Sequence, residues 1–200
     1  MIAIIDYGGG NIGSVKNALD YLRLQSVVTD DPGMIRKVDR IILPGQGRFG
    51  DVMKRLREKN LDKVILEEIS KNKPFLGICI GLQVLFESSD EDPQAEGLGI
   101  LKGKCCRFSS DLKVPQIGWN RIRMTNRSRL LKEVRANFFY FVHSFYAIPE
   151  KKGIITATSE YGQDFPAVVE AGNIFATQFH PEKSGISGLR ILKNFGEIRC

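Results

Sequence analysis

Residues 74–81, Pro-Phe-Leu-Gly-Ile-Cys-Ile-Gly, constrain the fold more than any other stretch of this chain. An apolar run from Pro74 to Ile78 leads straight into a cysteine with glycines two residues to either side, and a helical pattern follows. That order predicts a strand, a sharp turn and a helix, with a candidate nucleophile at the bend. Such a bend holds the nucleophile's backbone in a strained conformation, and Gly77 and Gly81 keep Cβ atoms out of a crowded turn. A solitary cysteine in apolar surroundings usually packs as a small hydrophobe, so the reading of Cys79 depends on its company.

That company is Thr177-Gln178-Phe179-His180-Pro181-Glu182-Lys183-Ser184, placed after an apolar strand from Asn173 to Gln178. Pro181 stops the chain from continuing in a ladder, so His180 and Glu182 are presented together at one strand end. A carboxylate on the far imidazole nitrogen fixes the tautomer and stabilises the imidazolium, the orienting role in a nucleophile–base–acid triad. Read alone, a strand-end histidine beside a glutamate is an ordinary solvated pair. With the cysteine elbow it becomes the candidate triad Cys79, His180 and Glu182. Pro44-Gly45-Gln46-Gly47 follows the third predicted strand, and a loop at that edge of a parallel sheet faces the elbow. An oxyanion formed on an attacked carbonyl would meet two backbone N–H groups, one from Ile80 and one from around Gly45 or Gln46.

The rest of the chain supports that placement. Strands are predicted at Ile2 to Asp6, Ser26 to Thr29, Arg40 to Leu43 and Pro74 to Ile78. They alternate with helices at Ile12 to Leu22, after Pro32, and between Phe49 and Asn72. Asp31 before Pro32 reads as a helix cap with proline at the first helical position. This rhythm predicts a parallel sheet covered on both faces. Beyond Phe86 strand segments follow near Gly99 to Arg107, Gln116 to Arg123, Phe138 to Val142, Ile154 to Ser159, Ala167 to Ala171 and Asn173 to Gln178, then a helix from Ser187. The fold class is α/β: a three-layer, flavodoxin-like sandwich with a central, mostly parallel sheet, extended by an antiparallel β portion. A hydrophobic fraction of 42% in 200 residues suits a single domain spanning 1–200.

Several function classes are excluded. No apolar run approaches the roughly 18 residues that span a bilayer, and Met1-Ile2-Ala3-Ile4-Ile5 lacks the basic region of a signal peptide, so a cytoplasmic protein without membrane contact is expected. Cys79, Cys105, Cys106 and Cys200 form no CxxC pair, and no histidine stands at ligand spacing. Reduced thiols, no metal and no cofactor are expected. The formal charge of +6 is spread over solvent faces without the aromatic platforms of a nucleic-acid module, so no nucleic acid is expected. Gly8-Gly9-Gly10-Asn11-Ile12-Gly13 satisfies G-x-G-x-x-G between a strand and a helix, with Asp30 and Asp31 downstream. A dinucleotide-binding oxidoreductase therefore remains as an alternative, though it leaves Cys79, His180 and Glu182 without a purpose.

Gly-Ile-Cys-Ile-Gly-Leu-Gln at 77–83 with Phe-His-Pro-Glu at 179–182 resembles the class I, triad-type glutamine amidotransferases. Asp6 to Asn11, Leu43 to Gly50, Pro115 to Asn120 and Tyr140 to Ser144 extend the resemblance along the chain, toward the glutaminase subunits of the histidine pathway. The resemblance implies hydrolysis of L-glutamine through a cysteinyl thioester and delivery of ammonia to a synthase subunit with a (β/α)8 barrel. It also implies substrate contacts from Gly47, Gln83, Glu91, His143 and Ser144, and a partner interface including Asn11, Trp119, Asn120 and Lys183. Two departures stand out: Gln46 where the family commonly has a small apolar residue, and Ile80-Gly81-Leu82 where Leu-Gly-Met is frequent. The same chemistry feeding a paralogous synthase, for example in surface-sugar amidation, is the alternative closest at hand; a non-catalytic partner-binding module is more distant.

Overall fold

In the computed structural model, which describes residues 1–198, the N-terminal part alternates strand and helix: β1 (Ile2–Ile5), α1 (Ile12–Tyr21), β2 (Ser26–Thr29), α2 (Pro32–Lys37) and β3 (Arg40–Leu43). α3 (Phe49–Glu58), α4 (Leu61–Ser70), β4 (Phe75–Ile78) and the short α5 (Ile80–Gln83) follow. Asp31 accepts hydrogen bonds from the amides of Gly33 and Met34 at 2.9 and 3.2 Å, so the cap expected before Pro32 is present. The helical stretch between Phe49 and Asn72 is broken at Asn60, whose φ of 55° lies in the left-handed region that asparagine tolerates better than most residues.

The second part contributes β5 (Ser88–Ser89), β6 (Gly103–Arg107), β7 (Gln116–Met124), β8 (Phe138–His143), β9 (Phe145–Pro149), β10 (Ile155–Glu160), β11 (Asp164–Ala171), β12 (Ile174–Thr177) and α6 (Gly185–Glu197). The main sheet has the order β2-β1-β3-β4-β12-β11-β10-β7-β8. The strands from β2 to β12 in that order pair parallel, and those from β12 onward pair antiparallel. β12 therefore returns from the far end of the chain to lie against β4, with Thr177 opposite Ile78. A smaller sheet, β5-β6-β9, packs against the main one where β9 meets β11.

Alternation along the central strands divides the interior in two. Ile5, Leu43 and Phe75 join the side chains of α3 and α4 on one face. Ile4, Ile42, Leu76 and Phe175 join those of α1 and α6 on the other. Both faces of the sheet are covered, which is why these strands read as continuous apolar runs.

Three expectations need adjustment. The strand expected from Gly99 begins only at Gly103; Leu98 and Leu101 instead donate their amides to the carbonyls of Val84 and Leu85 and fold as a turn over α5. β9, at Phe145–Pro149, was not expected, and it pairs with β6. β11 begins at Asp164, ahead of the expected Ala167, because Pro166 falls at a register irregularity opposite β10, where proline is tolerated within a sheet. Cys200, counted among the reduced thiols, lies outside the described residues; Cys79, Cys105 and Cys106 are free. No helix among the described residues is long and apolar enough to cross a membrane.

Candidate active site

The elbow takes the form its sequence predicts. Cys79 has φ 54° and ψ −105°, a strained conformation for a residue with a side chain, and its own amide donates to Thr177 O of β12 at 2.7 Å. The flanking glycines permit the close approach of three backbones. A Cβ on Gly77 would stand 2.3 Å from Gly81 O, and one on Gly81 would stand 2.2 Å from Leu43 O. α5 therefore sits directly on the ends of β3 and β4, with Cys79 at its N-terminus lining the space beyond those strand ends.

β12 carries His180 into that space. The imidazole Nδ1 lies 2.8 Å from Glu182 Oε1, both side chains fully buried, so Nδ1 donates and Nε2 is the nitrogen left for the sulfur. Burial works against the imidazolium, but the charge of Cys79 and the Glu182 carboxylate outweigh it, raising the His180 pKa from 6.5 to about 10. The imidazolium form of His180 is thus favoured. The turn after His180 is pinned to the edge strand: His180 N donates to Tyr140 O at 2.9 Å, while Ser184 Oγ bridges His180 O and Tyr140 N at 2.6 and 3.0 Å.

The loop Pro44 to Gly47 abuts the elbow, since a Cβ on Gly45 would fall 1.9 Å from Ile80 Cγ2 and 2.9 Å from Ile78 O. Tyr7 Oη donates to Gln46 O at 3.3 Å. Burial, opposed by that hydrogen bond, lifts the Tyr7 pKa to about 12, so the phenol stays a donor. This contact also explains the glycine run. Cβ atoms on Gly9 and Gly10 would each come within 2.9 Å of the Tyr7 ring or hydroxyl, and Arg55 holds Gly8 O. Asp30, the acidic partner of the dinucleotide reading, is paired with Lys59 at 2.8 Å.

A cleft of about 290 Å³ brings Cys79 and Ile80 together with Gln46, Gly47, Gln83, Glu91, His143 and Ser144, a space suited to one small molecule. Gln83 is buried; its amide donates to Phe145 O at 2.9 Å and to Gln178 Oε1 at 3.2 Å. Glu91 accepts from Phe49 N at 2.8 Å, holding the start of α3 beside Gly47. His143 Nδ1 donates to Phe145 O at 2.8 Å.

Of the expected interface residues, Trp119 is 58% exposed on β7, edge-on to Tyr140 opposite, and Lys183 lies over the same ring. Asn120 donates to Glu160 O at 2.8 Å. Asn11 Nδ2 donates to Glu182 Oε1 at 3.0 Å. The sequence reading assigned no role to Tyr7 or Gln178, which donates to the sulfur at 3.7 Å. A buried glutamine at the end of an apolar strand was the available signal, because such an amide needs partners.

The profile of the family Glutamine amidotransferase class-I matches residues 3–198. The fold agrees: a crystal structure of a glutamine amidotransferase superposes with a TM-score of 0.79 at 19% identity, over 98% of this chain and 97% of that one. A chain of the PurLQS structure from Thermotoga maritima gives 0.72 at 22%, over 97% and 96%. The chain belongs to the class-I glutamine amidotransferases. Its relatives include imidazole glycerol phosphate synthase subunit HisH of Moorella thermoacetica, 47% identical over 98% of this chain and 94% of that protein. HisH of Oceanobacillus iheyensis is 48% identical, covering 99% of each.

Proposed function

We propose that the chain is the glutaminase subunit of an imidazole glycerol phosphate synthase in histidine biosynthesis, releasing ammonia from L-glutamine at Cys79. The observation that carries this reading is the buried His180–Glu182 pair, 2.8 Å apart, set beside a cysteine elbow in a chain nearly half identical to HisH subunits. His180 takes the thiol proton and the sulfur attacks the side-chain amide carbon of glutamine. The resulting oxyanion is met by the amide of Ile80 and one from the Gly45–Gln46 peptide. His180 returns the proton to the leaving ammonia, and water activated by the same imidazole opens the thioester to glutamate. Gly47, Gln83, Glu91, His143 and Ser144 form the substrate walls.

The ammonia acceptor is a synthase subunit with a (β/α)8 barrel. Its docking surface is the outward face of β7 and β8, where Ile117, Trp119 and Phe138 are 64%, 58% and 48% exposed, with Lys183 beside them over Tyr140 and Asn120 next along β7, opposite Phe139. An apolar patch with aromatic and cationic residues is what interface cores favour. β8 also reaches the nucleophile, since Val142 O lies 3.8 Å from Cys79 Sγ, so a partner on this strand sits close to where ammonia leaves. In the reconstituted complex, Cys79→Ala abolishes glutamine-dependent synthesis of imidazole glycerol phosphate and spares synthesis from ammonium salts. Loss of both in an assembled complex would sink the division of labour. A wild-type complex that releases glutamate but forms no imidazole product would point to a paralogous synthase.

A further inference from the structure

Asn11 occupies the N-cap position of α1, where an asparagine normally accepts a hydrogen bond from the helix's first turn. Here its side chain makes no such bond. Its amide crosses instead to the far end of the sequence and donates to Glu182 Oε1 at 3.0 Å, the same oxygen that receives His180 Nδ1 at 2.8 Å. The Glu182 side chain is fully buried, and its other oxygen has no hydrogen-bond partner. Among the described residues, His180 and Asn11 are therefore the side-chain donors that hold this carboxylate.

A carboxylate with only two donors keeps its angle through both of them. If Asn11 is removed, Glu182 is free to swing about its contact with His180, and the imidazole loses the orientation that aims Nε2 at the sulfur. We propose that Asn11 is a positioning residue for the triad, fixing Glu182 and through it His180. A neutral amide suits the task, because it orients the carboxylate without competing with the imidazolium for its charge. The β1–α1 loop thereby touches both halves of the site: Tyr7 reaches Gln46 of the oxyanion loop at 3.3 Å, and Asn11 reaches the acid of the triad. This inference rests on the proposed triad, in which Glu182 orients the base.

The test is Asn11→Asp in the full complex, with the synthase subunit at saturating concentration by direct titration. Aspartate matches asparagine in size and is an equally good N-cap, so a residue that serves only the helix tolerates the change. A positioning residue does not, because aspartate has no N–H and opposes Glu182. The expected result is a kcat for glutamate release reduced about 10- to 100-fold, the range of a hydrogen bond to a charged group, with KM within about twofold. In a Glu182→Gln background, Asn11→Asp causes no further loss of that size. A kcat within about twofold of wild type overturns the proposal, as does an equal loss when Glu182 is already replaced. Full recovery of kcat once weakened partner binding is saturated would make Asn11 an interface residue instead. If Glu182→Gln alone leaves kcat intact, the triad reading fails and this inference with it; a damaging Glu182→Gln beside a harmless Asn11→Asp removes the inference only.

Discussion

The chain's two histidines sit in opposite environments, and replacing His143 with asparagine separates them. His143 is buried, and burial lowers its pKa from 6.5 to about 4, against the hydrogen bond to Phe145 O and with a small contribution from His180. The folded protein thus excludes a proton that the unfolded chain accepts. Between pH 6.5 and 4 the unfolded state binds more protons, so stability rises with pH. His143's contribution is complete above the unfolded pKa and is lost as pH falls through the folded one. The fall from 6.5 to about 4 is worth roughly 3 kcal/mol at about 1.4 kcal/mol per pH unit. His143→Asn can place an amide N–H where Nδ1–H stands, keeping the donor to Phe145 O while removing the titration. Urea denaturation of both proteins between pH 7 and pH 4 reads the effect. The variant starts less stable because core volume is lost, but the wild type loses roughly 3 kcal/mol more than the variant across the range. Parallel curves would refute the assignment of a neutral, buried His143. In the assembled complex, His180→Asn lowers kcat by about 10² to 10⁴, as expected for a general base, and His143→Asn lowers it far less. Equal losses would mean that the base has been misidentified.

Gly81→Ala drives a Cβ to within 2.2 Å of Leu43 O, backbone that cannot move aside cheaply; about 1–3 kcal/mol of stability is lost, and an unchanged denaturation midpoint would contradict this packing. Tyr7→Phe keeps the ring against Gly9 and Gly10 but removes the donor to Gln46 O, costing about 0.5–1.5 kcal/mol by the same assay; no loss would mean that the 3.3 Å contact contributes nothing. Trp119→Ala, at a residue 58% exposed, leaves stability within about 0.5 kcal/mol but weakens the synthase complex by at least about 2 kcal/mol. Titration of labelled subunits measures this, and an unchanged affinity would move the docking face elsewhere.

Much of the candidate site was legible because its chemistry coincides with local structural signals. The elbow announces itself through glycines at fixed offsets from Cys79, and the pair His180 and Glu182 through Pro181 between them. Each is a short-range pattern whose backbone consequence follows from sterics. The same holds for the Asp31–Pro32 cap and for the apolar runs of β1, β3 and β4. β9 escaped notice because Ser144 separates it from β8 by a single residue, and the start of β11 is three residues earlier than the sequence suggests because Pro166 masks it.

What the sequence alone determined was therefore a parallel α/β core with a cysteine at one strand end, a histidine and a glutamate at another, and a glycine loop at a third. It could not determine which side chains meet across those ends, because such meetings depend on strand order and register and not on spacing along the chain. Nothing in the glycine-rich loop itself pairs Asn11 with Glu182; only β12 set beside β4, and α1 packed near the turn after His180, bring the Glu182 carboxylate within 3.0 Å of its amide. The glycines at 9 and 10 fitted a phosphate loop, but in the fold they make room for the Tyr7 ring and hydroxyl, which stand 2.9 Å from where their Cβ atoms would lie. Sequence told the two histidines apart only by their neighbours, Pro181 and Glu182 beside His180. Tertiary structure gave His180 a buried carboxylate and His143 a backbone carbonyl in an aromatic enclosure, and that difference in charge environment moves their pKa values in opposite directions.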